Sequence, residues 1–258
     1  MTFRDLHYAD LPLVLPNAWD VPSALALLEA GFTALGTTSF GVAVTHGTPD
    51  GAGSTRDANL RLADALRPLN CYLSIDVEDG YSADPDAVAD YVSLLPADGV
   101  NVEDSTAEKL IDPELHAAKI RAIKARSPKL FVNARVDTYW LGQDADVTAT
   151  LARAHHYVEA GADGIFVPGA TDSGVVRDLA RNVDRPLNVL AVPGSSPVDM
   201  AALGVRRIST GSLPYRAALS AAVRVAEAAR GGLPFPEATP YPDLQDLVIR
   251  YAKGDQRR

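Results

Sequence analysis

"LSIDVEDGYS", residues 73–82, starts as a buried strand and ends in acid. Side chains along a strand alternate between two faces. Leu73, Ile75 and Val77 therefore share one face, and Ser74, Asp76 and Glu78 share the other. Carboxylates at the end of an apolar run are costly unless something pairs with them. The same pattern recurs further along. In "VNVED" Val100 and Val102 oppose Asn101 and Glu103, and in "FVNARVD" Val132, Ala134 and Val136 oppose Asn133, Arg135 and Asp137. Asn188 likewise opposes Leu187 and Val189. One face is apolar throughout and suits packing under helices. The other turns polar toward each C-terminal end.

Outward from this stretch, eight candidate strands can be read: 11–17, 34–39, 71–78, 99–104, 130–137, 164–169, 186–192 and 206–212. Between them lie stretches with apolar residues at three- and four-residue spacing, such as 20–31, 112–126 and 146–162, which predict helices. Several open on Asp or Ser and close at Gly, as helix caps do. Repeated strand–helix units require parallel strands, because each return needs a crossover. Eight units predict an α/β fold of the (β/α)8 TIM barrel type, with a doubly wound open sheet as the alternative. The barrel is expected over residues 1–231. A connector with Pro234, Pro236, Pro240 and Pro242 and an extra C-terminal helix are expected over 232–258. Leu244, Leu247, Val248 and Tyr251 give that helix one apolar stripe, for its own barrel or a neighbouring subunit.

The chain has 258 residues, a formal net charge of -9 and one cysteine. The negative balance argues against nucleic acid as a partner. No apolar run approaches membrane-spanning length and the first residues carry no secretory pattern, so no membrane association and a cytoplasmic setting are expected. A lone Cys71 in an apolar run excludes an intrachain disulfide and reads as an inert core residue. His155 and His156 read as helix-surface residues.

In a barrel, the polar phase points inward and the active site lies at the strands' C-terminal ends. Asp76, Glu78, Glu103 and Arg135 are thus expected to converge. Two readings follow: an ion-pair network around Arg135, or a divalent cation held by oxygen ligands. The acids outnumber the arginine, which favours a hard cation such as Mg²⁺. Asp104 can face either way, Asp79 can orient the turn "DGYS", and Asn17 and Asp20 either line the pocket or cap the first helix. Arg206 and Arg207 fall at the start of the eighth strand, where a solvated role is expected.

The stretches "PNAWDVPSALALLEAGFTALGTTS", "IDVEDGYS", "VNVEDS", "NARVDTY", "AGADGIFVPG" and "LNVLAVPG" together resemble the phosphoenolpyruvate mutase/isocitrate lyase superfamily, from about Leu13 to Arg230. The resemblance implies a Mg²⁺-dependent barrel, with Mn²⁺ as a substitute, acting on small 2-oxo acids or dicarboxylates through an enolate. It puts the family's D-x-D metal motif on Asp76 and Glu78, the second being Glu for Asp. The acid of the fourth strand falls on Glu103 and the substrate-binding arginine on Arg135. The loop that cradles the substrate carboxylate falls on Thr38, Ser39 and Phe40, and an aspartate of the following segment on Asp50. Asp50 and His46 are the nearest candidates for proton transfer, and Asn188 for substrate contact. The cleaving members of the family carry a K-[KR]-C-G-H loop, where this chain reads "VEDSTAEKLIDPE". Cleavage of isocitrate or methylisocitrate is therefore not expected, and a non-catalytic 2-oxo-acid binder is the competing reading. The resemblance also implies a homotetramer or dimer.

Overall fold

The computed structural model describes residues 1–51 and 53–254. Its main sheet is an all-parallel ring. The first strand, β1, is cut by Pro16 into Leu13–Leu15 and Asn17–Ala18. β2 to β8 follow as Ala34–Thr37, Tyr72–Asp76, Gly99–Val102, Phe131–Arg135, Gly164–Phe166, Leu187–Leu190 and Val205–Ser209. The lower piece of β1 pairs with β8 and the upper piece with β2, which brings the ring round on itself. Proline lacks an amide donor. Its place between two half-strands lets β1 change partners without breaking a ladder bond.

All eight expected strands are present, each near its expected start. Most end short of the expected limit. The 71–78 stretch stops at Asp76, 99–104 stops at Val102, and 206–212 stops at Ser209. The residues beyond these ends leave the sheet to build the upper loops.

Helices cover the apolar outer phase. α1 to α4 run Val21–Glu29, Ser39–Thr45, Arg56–Leu66 and Pro85–Ser93. α5 is Pro113–Arg126, and after the short turn Thr138–Leu141, α6 is Val147–Glu159. α7, α8 and α9 are Ser173–Asn182, Pro197–Ala202 and Leu213–Gly231. Asp20, Asp84, Asp112, Asp146, Asp172 and Ser196 each accept an amide hydrogen bond at a helix start. Asp20 is thereby a cap of α1. Buried Ile75, Val100, Val132, Ile165 and Val189 meet Ala63, Val88, Ile120, Tyr157 and Leu179 in one core. The N-terminal segment plugs the lower mouth: Phe3 packs with Leu15, Ala34 and Phe131, and the His7 ring stacks on Phe131 at 4.1 Å.

α9 ends at Gly231 and is capped by Gly232 with φ +64. Residues 233–240 carry no regular structure, and α10, Tyr241–Ala252, follows. α10 lies against α1, with Leu247 and Tyr251 on the core and the Tyr251 hydroxyl donating to the Ala65 carbonyl at 2.8 Å.

Candidate active site

A cavity of about 630 Å³ opens at the C-terminal ends of the strands. Asp76, Glu78, Glu103 and Arg135, far apart in sequence, all line it, together with Thr38, Ser39, Phe40 and Asp50.

Asp76 is the last residue of β3. Its Oδ2 accepts the Ser39 amide at 3.0 Å and its Oδ1 accepts Asn101 Nδ2 at 3.1 Å. The Asp76 amide in turn donates to Thr37 Oγ1 at 2.9 Å. The carboxylate is thus fixed from β2 and β4 at once. Thr38 caps α2 through its hydroxyl. Because the Ser39 amide is given to Asp76, it is not free to cradle a substrate carboxylate as the resemblance implies.

Glu103 and Arg135 meet across the tops of β4 and β5, Arg135 Nη1 donating to Glu103 Oε1. Arg135 Nε donates to Asp137 Oδ1 at 2.5 Å. One guanidinium is therefore shared by two acids. Burial pushes the Glu103 carboxyl well above the ordinary range, against the pull of Arg135, and Asp76, Asp137 and Asp50 add to the rise. Burial works against the charge of Arg135, but Glu103, Asp137 and Asp76 outweigh it and hold its pKa above the ordinary value. The guanidinium carbon also lies 5.5 Å from the Trp140 ring centroid and 5.8 Å from that of Phe166. Asp104 turns away. It is fully buried, accepts the Asp137 amide at 2.8 Å and binds Arg153 and Tyr157, so it braces the loop that carries Asp137.

Glu78 departs from the strand phase that predicted it. It lies past the end of β3 with φ +48, a left-handed conformation that is uncommon for glutamate. The Thr55 hydroxyl donates to its Oε1 and the Gly53 amide to its Oε2 at 3.0 Å. Thr55, Tyr81 and Asn59 join in one hydrogen-bonded group, and Asn59 Nδ2 donates to the Asp76 carbonyl at 2.9 Å. Glu78 so ties the 53–55 segment to the site. Burial raises its pKa, and these hydrogen bonds offset part of that. Asp79 orients the turn, its Oδ1 accepting the Tyr81 amide at 2.9 Å.

Asp50 belongs to the segment after α2. Its pKa is raised by burial of the carboxyl and then by Asp76, while the Ser39 side chain lowers it. His46 is not part of the cavity wall. It caps the C-terminus of α2, exposed, with Nδ1 donating to the Val42 carbonyl at 2.9 Å. Asn188 also falls outside the wall: it is buried on β7 deeper in the barrel, and its amide oxygen and nitrogen both lack a partner.

Three contributors were not among the expected site residues, although Asn101 and Asp137 share the polar, inward phase. Asn101 bridges Asp76 to Asn133, whose Nδ2 donates to Asn101 Oδ1 at 3.0 Å. Asp137 holds the far side of Arg135. Arg207, expected in solvent, is 3% exposed and lines the cavity. The alternation itself contained that signal, because Arg207 and Ser209 flank Ile208 and so share the inward phase. Arg206 is exposed as expected, and Asn17 lines the cavity. Cys71 is half-buried, and burial holds its thiol protonated, up to about 12.

"STAEKL" (105–110) folds as a hairpin whose strands are Ser105–Thr106 and Lys109–Leu110. Ala107 and Glu108 both have positive φ, +48 and +60, as a two-residue type I′ turn requires. Thr106 ties the hairpin to Asp79, and Ala107 and Glu108 touch the cavity.

Could this wall hold a divalent cation? The acid side chains supply oxygen donors, and the acids Asp50, Asp76, Glu78, Asp79, Glu103 and Glu108 outnumber Arg135, Arg207 and Arg216 on the wall, which suits Mg²⁺. Among the described residues no three His, Cys, Asp or Glu side chains stand close enough to hold a metal jointly. The fit is therefore to an ion that keeps most of its waters and touches the protein through one or two carboxylates, as Mg²⁺ commonly does.

Barrel and upper-rim acids define an α/β barrel with a carboxylate-lined site. A family model described as phosphoenolpyruvate phosphomutase matches residues 3–230. The chain is 59% identical over 251 residues to the uncharacterized protein Rv1998c of Mycobacterium tuberculosis, covering 97% of each. It is 29% identical over 197 residues to a 2-methylisocitrate lyase of Halalkalibacterium halodurans, covering 72% of this chain and 65% of that one. Over 129 residues it is 34% identical to an oxaloacetate decarboxylase of Pseudomonas aeruginosa, covering 48% and 44%. The solved structure of a 2,3-dimethylmalate lyase matches with TM-score 0.83 at 25% identity, covering 98% of this chain and 96% of that one. The chain belongs to the phosphoenolpyruvate mutase/isocitrate lyase superfamily.

Proposed function

We propose that this protein is a Mg²⁺-dependent carbon–carbon lyase acting on a small 2-oxo dicarboxylic acid. The observation that carries the reading is the excess of acids over arginines on the wall of a substrate-sized cavity, with the Arg135 guanidinium shared between Glu103 and Asp137. Asp76 and Glu103 would hold the ion, largely through water, with Glu78 as the brace of the 53–55 segment. Mg²⁺, with Mn²⁺ as substitute, would supply Lewis-acid stabilisation of negative charge developing on the substrate's 2-oxo oxygen. The protein's own part is preorganisation. Arg135 is locked by Glu103 and Asp137, so a donor aimed into the cavity needs no reorientation as charge develops. The Trp140 and Phe166 rings flank its guanidinium. Asp50, with its raised pKa, can carry the proton that quenches the enolate. His46, outside the wall, is a weaker candidate.

Carbon–carbon cleavage is proposed ahead of carbon–phosphorus chemistry because the sequence relatives reported above with named activities are a lyase and a decarboxylase. The phosphomutase family model keeps carbon–phosphorus chemistry among the outcomes of the test. The short 105–110 hairpin favours a second reading, a metal-dependent 2-oxo-acid binder without turnover. A cytoplasmic homo-oligomer belongs to the same proposal, supported by exposed Leu219, Val223 and Val225 on α9.

The test is a panel of oxaloacetate, alkylated malates and a phosphono-2-oxo acid, with products identified after incubation with Mg²⁺. Release of pyruvate or another 2-oxo acid from oxaloacetate or an alkylated malate, stopped by EDTA, supports the lyase, whereas phosphate released from the phosphono-2-oxo acid alone contradicts carbon–carbon cleavage. Metal-dependent binding with every compound recovered intact supports the binder instead.

A further inference from the structure

Beneath the carboxylate rim the barrel holds a cation that the mechanism above does not use. Arg207 projects inward from β8. Its Nε and Nη1 have no hydrogen-bond partner, and its Nη2 makes only a long 3.4 Å contact with Ser74 Oγ. Ser74 is the inward residue of β3 immediately below Asp76, so the guanidinium sits one layer deeper than the rim. The register of β7 and β8 places Asn188 beside Arg207, and both polar atoms of the Asn188 amide are buried and unpartnered. Asp76 is the charge that supports Arg207, yet its oxygens bond Ser39 and Asn101 and none of the Arg207 nitrogens. Buried polar groups in folded proteins are almost always satisfied, and a buried charge more strictly so. A guanidinium left open on the cavity wall is the complement of an anionic oxygen pair.

We propose that Arg207, which lines the cavity with Asn188 buried beside it, forms a floor subsite that takes one carboxylate of a dicarboxylic ligand while the other end reaches the Asp76–Arg135 rim. The subsite rests on the substrate class proposed above and sharpens it. It makes the pocket selective for two carboxylates over one, because a neutral or apolar tail would leave the buried arginine without a partner. Arg207 is a specificity residue in this scheme and takes no part in bond cleavage.

Calorimetric titration of succinate and of butyrate, equal in length and differing by one carboxylate, into the Mg²⁺-loaded protein tests this. Wild type is expected to prefer succinate by about tenfold or more. Arg207→Met should erase most of that preference while leaving butyrate affinity unchanged, and Arg207→Lys should keep part of it. The ligand-free melting temperature of Arg207→Met should equal or exceed that of wild type, since an uncompensated buried charge has been removed. Equal losses for both acids, or a clear fall in ligand-free melting temperature, would make Arg207 a structural residue and overturn the proposal. So would chloride or phosphate abolishing the succinate preference of wild type at concentrations that saturate Arg207-dependent stabilisation, since the floor would then hold a free inorganic anion. Succinate preference without turnover of any 2-oxo acid would count against the lyase and leave the subsite standing.

Discussion

Arg135 illustrates how single residues set the chemistry. Its Nε and Nη1 serve two different carboxylates, a fork that lysine cannot reproduce. Arg135→Lys should therefore lower kcat/KM on the accepted substrate by about 10²-fold or more, as loss of a preorganised donor does. Arg135→Ala leaves Glu103 and Asp137 buried without a cation and should cost about 3–5 kcal/mol in urea unfolding. His116 offers a second test away from the site. It is fully buried, edge-on to Tyr157 at a centroid distance of 4.5 Å, with neither ring nitrogen bonded. Burial pushes its pKa down to about 3, and Lys119 and Arg153 add to this. His7 is likewise pushed down to about 3, by burial and then Arg207. Each folded-state pKa lies below the unfolded one, so the unfolded chain binds the extra proton. The stability tied to neutral imidazole is present above about pH 6.5 and is lost as pH falls from there toward 3. Each histidine should steepen the loss by roughly 1.4 kcal/mol per pH unit. Urea midpoints of wild type and His116→Phe between about pH 6.5 and 5 should show the variant's slope reduced by about half a proton at the upper end and approaching one proton near pH 5. Identical slopes would contradict the buried neutral ring.

At the scale of elements, alternation made the eight strands legible, because one apolar phase per strand is what a barrel under helices demands. Asp76 and Arg135 could be placed from it, since both are the final residues of their strands. Glu78 could not, because alternation fails once the chain leaves the sheet and the backbone there is left-handed. Strand alternation put Asn188 with the site and nearness in the loop after the second strand put His46 there, but depth in the barrel and helix capping decide their positions. Arg207 was misjudged because its rank along the strand was weighed above its phase. The turn after β3 depends on Gly80, whose φ of +91 and close approach to Val88 leave no room for a side chain: an added Cβ would lie 2.6 Å from Val88 Cγ1. Gly80→Ala should cost about 1–3 kcal/mol. It should also weaken Mg²⁺-dependent binding, because the turn carries Glu78 and Asp79. Full stability with intact binding would show the turn to be more tolerant than the geometry implies.

Across the whole molecule, the barrel gathers groups that lie tens of residues apart and holds them with bonds between strands rather than within them. α10 returns to cover α1 and α3, with Tyr251 as its anchor. Tyr251→Ala should lower stability by about 1–2 kcal/mol, from lost apolar contact and the lost bond to Ala65. Steady-state turnover at 25 °C should change little, since the anchor lies on the outer helices. The central claim is that Asp76, with Glu103 and Arg135, binds a divalent ion and an organic acid together. Its most direct test is calorimetric titration of oxalate, a planar stand-in for the enolate of a 2-oxo acid, into wild type and Asp76→Ala with Mg²⁺ and with EDTA. The account predicts binding to wild type that requires Mg²⁺ and is lost in Asp76→Ala. Oxalate binding that survives EDTA, or that Asp76→Ala leaves intact, would contradict it.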